Sequence, residues 1–311
     1  RAVYTMGCNF LNQGGDIGRN IAAFGSLDFA VCHELFLTPT ARYCDVVLPS
    51  AHTLEREDIG IPWAGNFLAY KPRAAAPLGE SRTDYDILSD LADRLGFGSL
   101  FTEGRDAGAW IRHFLDRSEI TDREEFMRTG VYFGKELERT GLSDFAADPE
   151  GHPLDTPSGR VEIASRAYHA HTGFSPIPVW QPRPEDPDHP LLLVTPKTPG
   201  RTHSQVHSSN RGTNQDSHFL QMNPADAAAR GIPDGGRVLI FNENGASVVR
   251  AAIDDDIVPG VVSLHEGIWV EMDSSGTDTA GSANVLTSCR GTMPGRAAIM
   301  HGVNVQVRSL G

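Results

Sequence analysis

The sequence predicts two kinds of structure in succession, part of an α/β domain followed by an all-β barrel. Over residues 1–50, strand and helix patterns alternate with short links, as they do in parallel α/β units. Six prolines then fall between residues 174 and 190, which is typical of a linker or a surface crossing. After them, residues 191–311 carry five strand patterns and one short helix, which favours a barrel.

The first elements follow from apolar runs and turn residues. Ala2–Met6 is a short apolar run that ends at a loop rich in turn formers, Gly7–Gly15. Asp16 is suited to cap a helix that runs to Phe24. Two further runs, Phe29–Leu37 and Asp45–Pro49, complete a predicted parallel sheet.

The segment from Thr83 to Gly96 carries both the start and the stop signals of a helix. Thr83 is a good cap, Asp84 and Asp86 lie in the first turn, and Gly96 follows Leu95 as a stop. We therefore predict a helix over residues 83–95. We also predict further helices over residues 102–145, with a more polar sequence than the helix over residues 83–95.

In the second half, most of the sequence patterns predict strands. Asn223 as a cap, Pro224 in the first turn and Gly231 as a stop predict one short helix. The predicted strands are Leu191–Thr195, Gly236–Asn242, Ala246–Ile253, Gly260–Leu264 and Val303–Val307.

Composition excludes several function classes. The 311 residues include 27 basic and 40 acidic ones, a net charge of -13, which argues against a nucleic-acid footprint. An anionic cofactor remains compatible, because backbone donors and a few arginines can hold phosphates inside an acidic protein. No apolar run approaches the ~18 residues that a membrane span requires.

The four cysteines, Cys8, Cys32, Cys44 and Cys289, are widely spaced. None forms a C-x-x-C pair, so no zinc ribbon or local iron–sulfur motif is predicted. Four cysteines in a chain of this length also do not indicate a disulfide scaffold.

Five segments, in order, resemble the dimethyl sulfoxide reductase family of molybdenum and tungsten enzymes. The segment TPTARYCDVVLP, followed by Glu55, is similar to the family's T-x-T-A-x-x-A-D-V-V-L-P stretch, with Cys44 where alanine is usual. The others are the strand-loop MGCN, the segment TPSGRVE, the helix entrance NPADAAARGIPDG and the stretch from Gly267 to Thr287. That last stretch resembles the membrane-anchored dimethyl sulfoxide reductases.

The resemblance implies a division of the chain. Residues 1–165 would be the C-terminal part of an α/β molybdopterin oxidoreductase domain, 166–187 a Pro-rich linker, and 188–311 a double-psi β-barrel that binds the molybdopterin dinucleotide. In the family, two such domains bind the bis-molybdopterin guanine dinucleotide cofactor, which carries Mo or W. An iron–sulfur cluster would be expected only in a preceding part of the enzyme.

Candidate cofactor-binding residues fall in three places. Gly7, Asn9 and Thr38 stand where strands of the α/β part end, which is where open sheets bind ligands. From the residues alone, an ordinary tight turn at Gly7 is an equally good interpretation. The remaining candidates are Thr195, Arg201, His203 and Ser204 on the loop after the first barrel strand, together with Asn284 and Asn304.

Asn284 is the residue best suited to the pterin, since an amide can both donate to and accept from its pyrimidine edge. A simple turn asparagine is the alternative. His203 and His207, spaced i,i+4, with His218 beyond, invite a metal interpretation. Pro199 and Gly200 break any helix there and no acidic ligand is suitably spaced, so no metal ligand is predicted.

No catalytic residue is predicted. We find no P-loop, G-x-S-x-G or G-x-G-x-x-G motif, and no recognisable metal-ligating Ser, Cys or selenocysteine. Because the chain starts directly on a predicted core strand, we expect a truncated piece of an enzyme that is inactive alone. A separate subunit that docks on a catalytic partner is the other possibility.

The resemblance implies partners and a reaction. The partners would be the N-terminal portion of the same enzyme or a catalytic subunit, and an iron–sulfur electron-transfer subunit. The complete enzyme would reduce a small oxo or sulfur substrate such as a sulfoxide, by anaerobic respiration. Its location would be periplasmic or membrane-associated through partners, or else cytoplasmic. The alternative function is a non-enzymatic β-barrel adaptor.

Overall fold

Three short parallel strands begin the chain. The computed structural model describes residues 1–135, 140–180, 182–207 and 218–311. Strands β1 (Ala2–Met6), β2 (Phe29–Glu34) and β3 (Val46–Pro49) form a sheet in the order β1-β2-β3, with both pairs parallel. The predicted parallel sheet is therefore confirmed.

Two helices connect β1 to β2. The predicted loop after β1 contains a four-residue helix, α1 (Phe10–Gln13), followed by α2 (Ile17–Gly25). The side chain of Asp16 accepts a hydrogen bond from the backbone N–H of Arg19 at 3.3 Å, so it caps α2 as expected. Strand β2 ends at Glu34 rather than at the predicted Leu37, because the next three residues leave the sheet.

A second sheet lies within the first half and was not predicted. Strands β4 (Asp58–Gly60), β5 (Phe67–Lys71) and β6 (Val131–Phe133) pair antiparallel in that order. Residues 131–133 lie within the region 102–145 predicted to be helical, so this part of the prediction is wrong. Apolar side chains of this sheet pack against Ile111, Leu115 and Phe126, which form a small separate core.

Six further helices occur in the first half among the described residues. Helix α3 begins after Thr83, whose hydroxyl accepts from the backbone N–H of Asp86 at 3.1 Å. Part of the predicted helical region, residues 136–139, lies outside the described residues. The helices are α3 (Asp84–Arg94), α4 (Gly98–Thr102), α5 (Ala107–Asp116), α6 (Arg123–Thr129), α7 (Ser143–Ala147) and α8 (Arg166–Thr172).

The second half is a closed six-stranded barrel. Its strands follow the order β10-β8-β11-β7-β12-β9 around the circumference. Two pairs, β8–β10 and β7–β11, are parallel and the other pairs are antiparallel. The elements are β7 (Leu191–Val194), β8 (Phe219–Met222), α9 (Pro224–Ala228), β9 (Arg237–Asn242), β10 (Gly245–Ile253), β11 (Val261–Leu264) and β12 (Val303–Ser309).

Alternating side chains fill the barrel. Leu191 and Leu193 of β7, Leu220 of β8 and Val262 of β11 are each at most 1% exposed. Burying a large aliphatic side chain contributes roughly 1.5–3 kcal/mol, so this interior is the main source of stability in the second half. The predicted mixed architecture, α/β followed by a barrel, is confirmed at this level.

A third, smaller apolar cluster joins the two halves. Ile17 of α2 packs with Val270 and Val285 of the barrel half. The backbone N–H of Asp16 also donates to the carbonyl of Thr287 at 2.6 Å. These contacts fix the loop after β1 against the barrel, and that junction positions the site described below.

Among the described residues, no helix is both long and apolar enough to cross a lipid bilayer.

Candidate functional site

A cleft of about 720 Å³ opens where the three parallel strands end and faces the barrel half. Gly7 follows β1, Glu34 ends β2 and Thr38 follows it, and residues 50–53 follow β3, so all three carboxyl ends contribute. The opposite wall comes from residues 204–206 and Trp269. Ligands of open α/β sheets bind at such strand ends, which makes this cleft the candidate site.

A larger hollow of about 940 Å³ lies among α3, α4 and α5. Its walls include the aromatic rings of Tyr85, Phe101 and Trp110. Its described lining residues all come from before residue 115, and none is a predicted site residue. Size alone therefore does not identify the site, and the position at the strand ends is the stronger criterion.

Asn9 links the two walls of the cleft. Its amide nitrogen donates to Ser204 Oγ at 3.2 Å across the cleft. Its amide oxygen accepts from the hydroxyl of Thr40 at 3.2 Å and from the Thr40 backbone N–H at 3.4 Å. Asn9 is 6% exposed and Thr40 1%, so these bonds are shielded from water and hold the loop after β1 in one conformation.

Gly7 turns the chain away from the end of β1. Its φ is 54°, and a Cβ added there would meet nothing within 4 Å. The glycine is thus required by the backbone conformation rather than by lack of space. The turn brings Asn9 to the floor of the cleft.

The barrel wall is built around Trp269. Its indole N–H donates to the carbonyl of Ser204 at 2.7 Å, and its ring stacks on His207 with centroids 4.5 Å apart and planes 11° from parallel. Trp269 is 8% exposed. The indole therefore fixes Ser204, whose hydroxyl meets Asn9.

A hydrogen-bonded network lies under the sheet side of the cleft. His33 is 1% exposed; its Nε2 lies 2.6 Å from Tyr4 OH and its Nδ1 lies 2.9 Å from Asp84 Oδ1. Ser50 Oγ donates to the same carboxylate oxygen at 2.7 Å. Since both ring nitrogens are engaged, His33 positions Asp84 at the cleft wall. Burial, followed by the negative charge of Asp84, raises the pKa of Tyr4.

A cationic and imidazole-rich group lies at the barrel side. Burial lowers the pKa of Arg201 and, together with the charge of Arg201, lowers the pKa of His207 to about 4. Burial likewise lowers the pKa of His218 to about 4 and that of His265 below its ordinary value. At neutral pH Arg201 therefore carries the positive charge of this group, and the imidazoles are neutral.

Among the described residues, two side chains of the barrel half, His218 and Asn284, each have a buried polar atom without a hydrogen-bond partner. His218 is 4% exposed, and its Nε2 lies 2.9 Å from the carbonyl of Gly281, while its Nδ1 has no hydrogen-bond partner. Asn284 donates from its amide nitrogen to the carbonyl of Asn12 at 2.8 Å, while its amide oxygen has none. Buried polar atoms are normally paired, so both are suited to a ligand donor.

Four predicted residues line the cleft together: Gly7, Asn9, Thr38 and Ser204. Thr38 is 6% exposed, and its hydroxyl accepts from the backbone N–H of Ala41 at 3.3 Å. The five other candidates lie outside the cleft lining. Thr195 is buried, where its hydroxyl donates to the carbonyl of Met300 at 2.9 Å.

His203 and Asn304 make different contacts. His203 Nδ1 lies 3.1 Å from Glu266 Oε1, beside the ion pair of Lys197 with the same carboxylate. The Asn304 side chain accepts from Arg183 and donates to the carbonyl of Pro184, so it holds the Pro-rich segment, residues 174–190, to β12.

Comparison with known proteins gives two family matches. Residues 1–94 match the family described as molybdopterin oxidoreductase, and residues 191–305 match the molydopterin dinucleotide binding domain. The chain is 32% identical over 309 residues to biotin sulfoxide reductase of Cereibacter sphaeroides. It is 34% identical, over an alignment 337 residues long, to dimethyl sulfoxide reductase DmsA of Haemophilus influenzae.

The chain belongs to the dimethyl sulfoxide reductase family of molybdopterin oxidoreductases. The recognition made from the five sequence segments is confirmed. These matches cover 92% and 99% of the chain but only 41% of each relative. As a molybdopterin oxidoreductase chain, it thus spans about two fifths of the length of the curated relatives it matches, which implies that further parts belong to such an enzyme.

A solved structure shares the fold of this molybdopterin oxidoreductase chain. Acetylene hydratase from Pelobacter acetylenicus superposes with a TM-score of 0.79 over 99% of the chain and 44% of that protein. Sequence identity is 21%, so the likeness concerns the fold alone.

Sequence reasoning missed several cleft residues of this family member. His33, Asp84 and Arg56 line the cleft but belong to no recognised motif. For His33 a usable signal existed, since it is a polar residue at the end of an apolar strand. For Asp84 its place in the first turn of the predicted helix explained the residue fully, so no site signal remained.

Proposed function

We propose that this chain binds molybdopterin guanine dinucleotide between its sheet and its barrel, as part of a molybdenum or tungsten oxidoreductase. The observation that carries the proposal is the cleft at the strand ends, closed by the hydrogen bond between Asn9 and Ser204. The dinucleotide-binding match over residues 191–305 supports the same ligand.

The donor set fits such a ligand. Glu34, at the end of β2, is an acceptor suited to a ribose hydroxyl. The Arg56 guanidinium lines the cleft, where it is paired with Asp58 at 3.2 Å. The polar side chains of Asn9, Thr38 and Ser204 line the same cleft. Anionic phosphates need such donors, and a purine needs polar edges within an apolar wall such as Trp269.

The unpartnered atoms fit the pterin end. His218 Nδ1 is an acceptor because its Nε2 is engaged by a carbonyl. Asn284 Oδ1 is a second acceptor that has no hydrogen-bond partner among the described residues. The pterin ring system is rich in N–H donors, so both atoms can receive a hydrogen bond from it. Arg201 supplies the positive charge in this region.

In the proposed reaction, the bound metal–pterin cofactor supplies two-electron redox chemistry to a small oxo or sulfur substrate such as a sulfoxide. The residues of this chain bind and orient the cofactor and keep water from its buried edges. The neutral imidazoles of His207 and His218 accept hydrogen bonds without adding charge at neutral pH. Two relatives with the names biotin sulfoxide reductase and dimethyl sulfoxide reductase support a sulfoxide substrate.

The barrel is proposed to be a double-psi barrel. The presence of two parallel pairs, β7–β11 and β8–β10, in an otherwise antiparallel closed barrel supports this topology. We further propose bis-molybdopterin guanine dinucleotide as the form of the cofactor. An iron–sulfur cluster in another part of the enzyme, or an iron–sulfur subunit, is proposed to deliver electrons. A periplasmic or membrane-associated location through those partners is part of the proposal.

The test uses the intact enzyme that contains this chain. Molybdenum and tungsten are measured by mass spectrometry and pterin by fluorescence after oxidation, in the wild type and in Asn9→Ala. We expect one metal and two pterins per enzyme, lower pterin content in Asn9→Ala, and reduction of a sulfoxide, an N-oxide or polysulfide. Absence of both metal and pterin from the wild type would overturn the proposal and favour a barrel adaptor.

A further inference from the structure

Three metal-ligating side chains meet where the Pro-rich segment crosses the barrel. Asp186 and His189 belong to that segment, and Glu243 belongs to the turn between β9 and β10. One ligand atom from each lies within 4.8 Å of the other two. Asp186 and His189 are partly buried and Glu243 is exposed. None of the three lines the cofactor cleft.

The Asp186–His189 pair is held in a defined geometry. Asp186 Oδ2 lies 2.9 Å from His189 Nδ1. The second carboxylate oxygen accepts from the backbone N–H groups of Asp188 at 3.0 Å and His189 at 3.1 Å. The His189 ring also packs edge-on against Phe241 of β9, with centroids 6.0 Å apart and planes 81° from parallel. The imidazole is thus fixed from the barrel side as well.

Glu243 extends from a separately anchored turn. Asn242 donates from its amide nitrogen to the carbonyls of Leu286 at 2.9 Å and Asn304 at 3.0 Å. Its amide oxygen accepts from the backbone N–H of Asn244 at 3.0 Å. The backbone on both sides of Glu243 is therefore tied to the barrel, while its carboxylate is accessible.

We propose that Asp186, His189 and Glu243 bind one divalent transition-metal ion of the zinc class. One imidazole and two carboxylates form a borderline N/O donor set, which suits Zn²⁺ better than the hard, oxygen-seeking Ca²⁺ or Mg²⁺. Three protein ligands leave a fourth position for water. The two carboxylates offset the charge of the ion, and the chain as a whole is acidic, with a net charge of -13.

The distance between the Asp186 and His189 ligand atoms needs little adjustment, whereas the Glu243 carboxylate, within 4.8 Å of both, must move closer. Two ligands at about 2.0–2.1 Å from a tetrahedral ion lie roughly 3.3–3.4 Å apart. The pair at 2.9 Å must open by a few tenths of an ångström as the ion replaces the shared proton. The exposed Glu243 carboxylate can move to complete the set. The bound ion would then clamp the Pro-rich segment to the β9–β10 turn.

The experiment is a zinc titration of the intact enzyme after treatment with EDTA and dialysis. Isothermal titration calorimetry is carried out with Zn²⁺ on the wild type, His189→Gln and Glu243→Gln. Glu185→Gln is the matched control, because it removes a carboxylate from the same segment outside the triad. Bound zinc after gel filtration is counted by mass spectrometry.

We expect the wild type and Glu185→Gln to bind one more Zn²⁺ than the two triad variants at micromolar free zinc. Losing a ligand should weaken binding at this site by at least the roughly 10- to 100-fold that loss of an outer-shell partner causes. Equal zinc content and affinity in all four proteins would overturn the proposal and leave an Asp186–His189 hydrogen bond only. Loss in His189→Gln with full binding in Glu243→Gln would also overturn the three-ligand site.

Discussion

Asn9 and Ser204 are separated by 195 residues along the chain, and their side chains form a buried hydrogen bond at 3.2 Å. One follows the first strand of the α/β part, and the other lies in the loop after the first barrel strand. The bond therefore joins the two halves at the floor of the cleft, where neither half alone would form a complete site.

The first prediction measures that link by a double-mutant cycle. Ser204→Ala should lower the free energy of unfolding by about 0.5–1.5 kcal/mol, the usual net value of one hydrogen bond. Asn9→Ala should cost about 1–3 kcal/mol, because Thr40 also loses its buried acceptor. Urea unfolding of the two single variants and the double variant should give a coupling of at least about 0.5 kcal/mol. Strict additivity would contradict the link.

The second prediction concerns Gly267, whose φ is 94°. A Cβ there would lie 2.0 Å from the carbonyl oxygen of His203. Gly276→Ala is the matched control, since its φ is 79° but nothing lies within 4 Å. The control should lose about 1–2 kcal/mol from backbone strain alone. Gly267→Ala should lose roughly 1–3 kcal/mol more, because the loop carrying Ser204 must move. Equal urea midpoints would contradict the close approach.

The third prediction is a pH dependence. His218 has a pKa of about 4 in the folded chain, below the ordinary value of 6.5, mainly through burial. Between these values the unfolded chain binds a proton that the folded chain does not. Stability therefore rises with pH across this window and falls on acidification, by about 1 kcal/mol per pH unit for this group.

The prediction is checked by measuring the free energy of unfolding at a series of pH values from 7 to 4.5. His218→Gln should flatten the slope, because its amide does not titrate. His171→Gln is the control at an exposed histidine, and it should keep the wild-type slope. If the slopes of His218→Gln and the wild type coincided, the low pKa of His218 would be refuted.

The fourth prediction concerns thiol reactivity. Cys32 is 3% exposed, and burial, followed by the neighbouring Cys44, raises its pKa to about 12. At pH 8 only about one molecule in ten thousand would carry the Cys32 thiolate, which is the reactive form. Alkylation of the folded chain followed by peptide mass spectrometry should label the exposed Cys289 first and leave Cys32 unmodified. Early labelling of Cys32 would contradict its burial.

Much of the fold could be read from local signals. Asp16, Thr83 and Asn223 each cap a helix through a side-chain oxygen, and each was recognised from residue type and spacing. The barrel strands β7, β9, β10, β11 and β12 were predicted to within a few residues. These elements carry their own apolar alternation and turn residues, so their sequences suffice.

Elements that depend on distant partners were missed. Strand β8 has only four residues, too few for a periodic pattern to stand out, and it is defined by pairing with β10 and β11. Strand β6 has three residues and pairs with β5, some sixty residues earlier. Neither pairing leaves a periodic pattern, so local reasoning has nothing to detect.

The candidate site was predicted in the same uneven way. Gly7, Asn9 and Thr38 could be placed at strand ends, and Ser204 came with the barrel loop. Their direct meeting depends on how the two halves pack, which sequence spacing does not encode. For the same reason Glu243 could not be associated with His189, since the two lie in different segments.

The closed barrel has a consequence for how the isolated chain behaves in concentrated solution. Every barrel strand has two hydrogen-bonded neighbours, so the described barrel offers no open edge to another molecule. In the parallel sheet, β1 and β3 each have β2 as their one strand neighbour among the described residues. Side chains of these outer strands are more than a third exposed: Tyr4, Met6, Val46 and Val47. The antiparallel β4-β5-β6 sheet has open outer strands as well. Aggregation of the chain should therefore begin at these two sheets rather than at the barrel, and Val47→Lys should slow it.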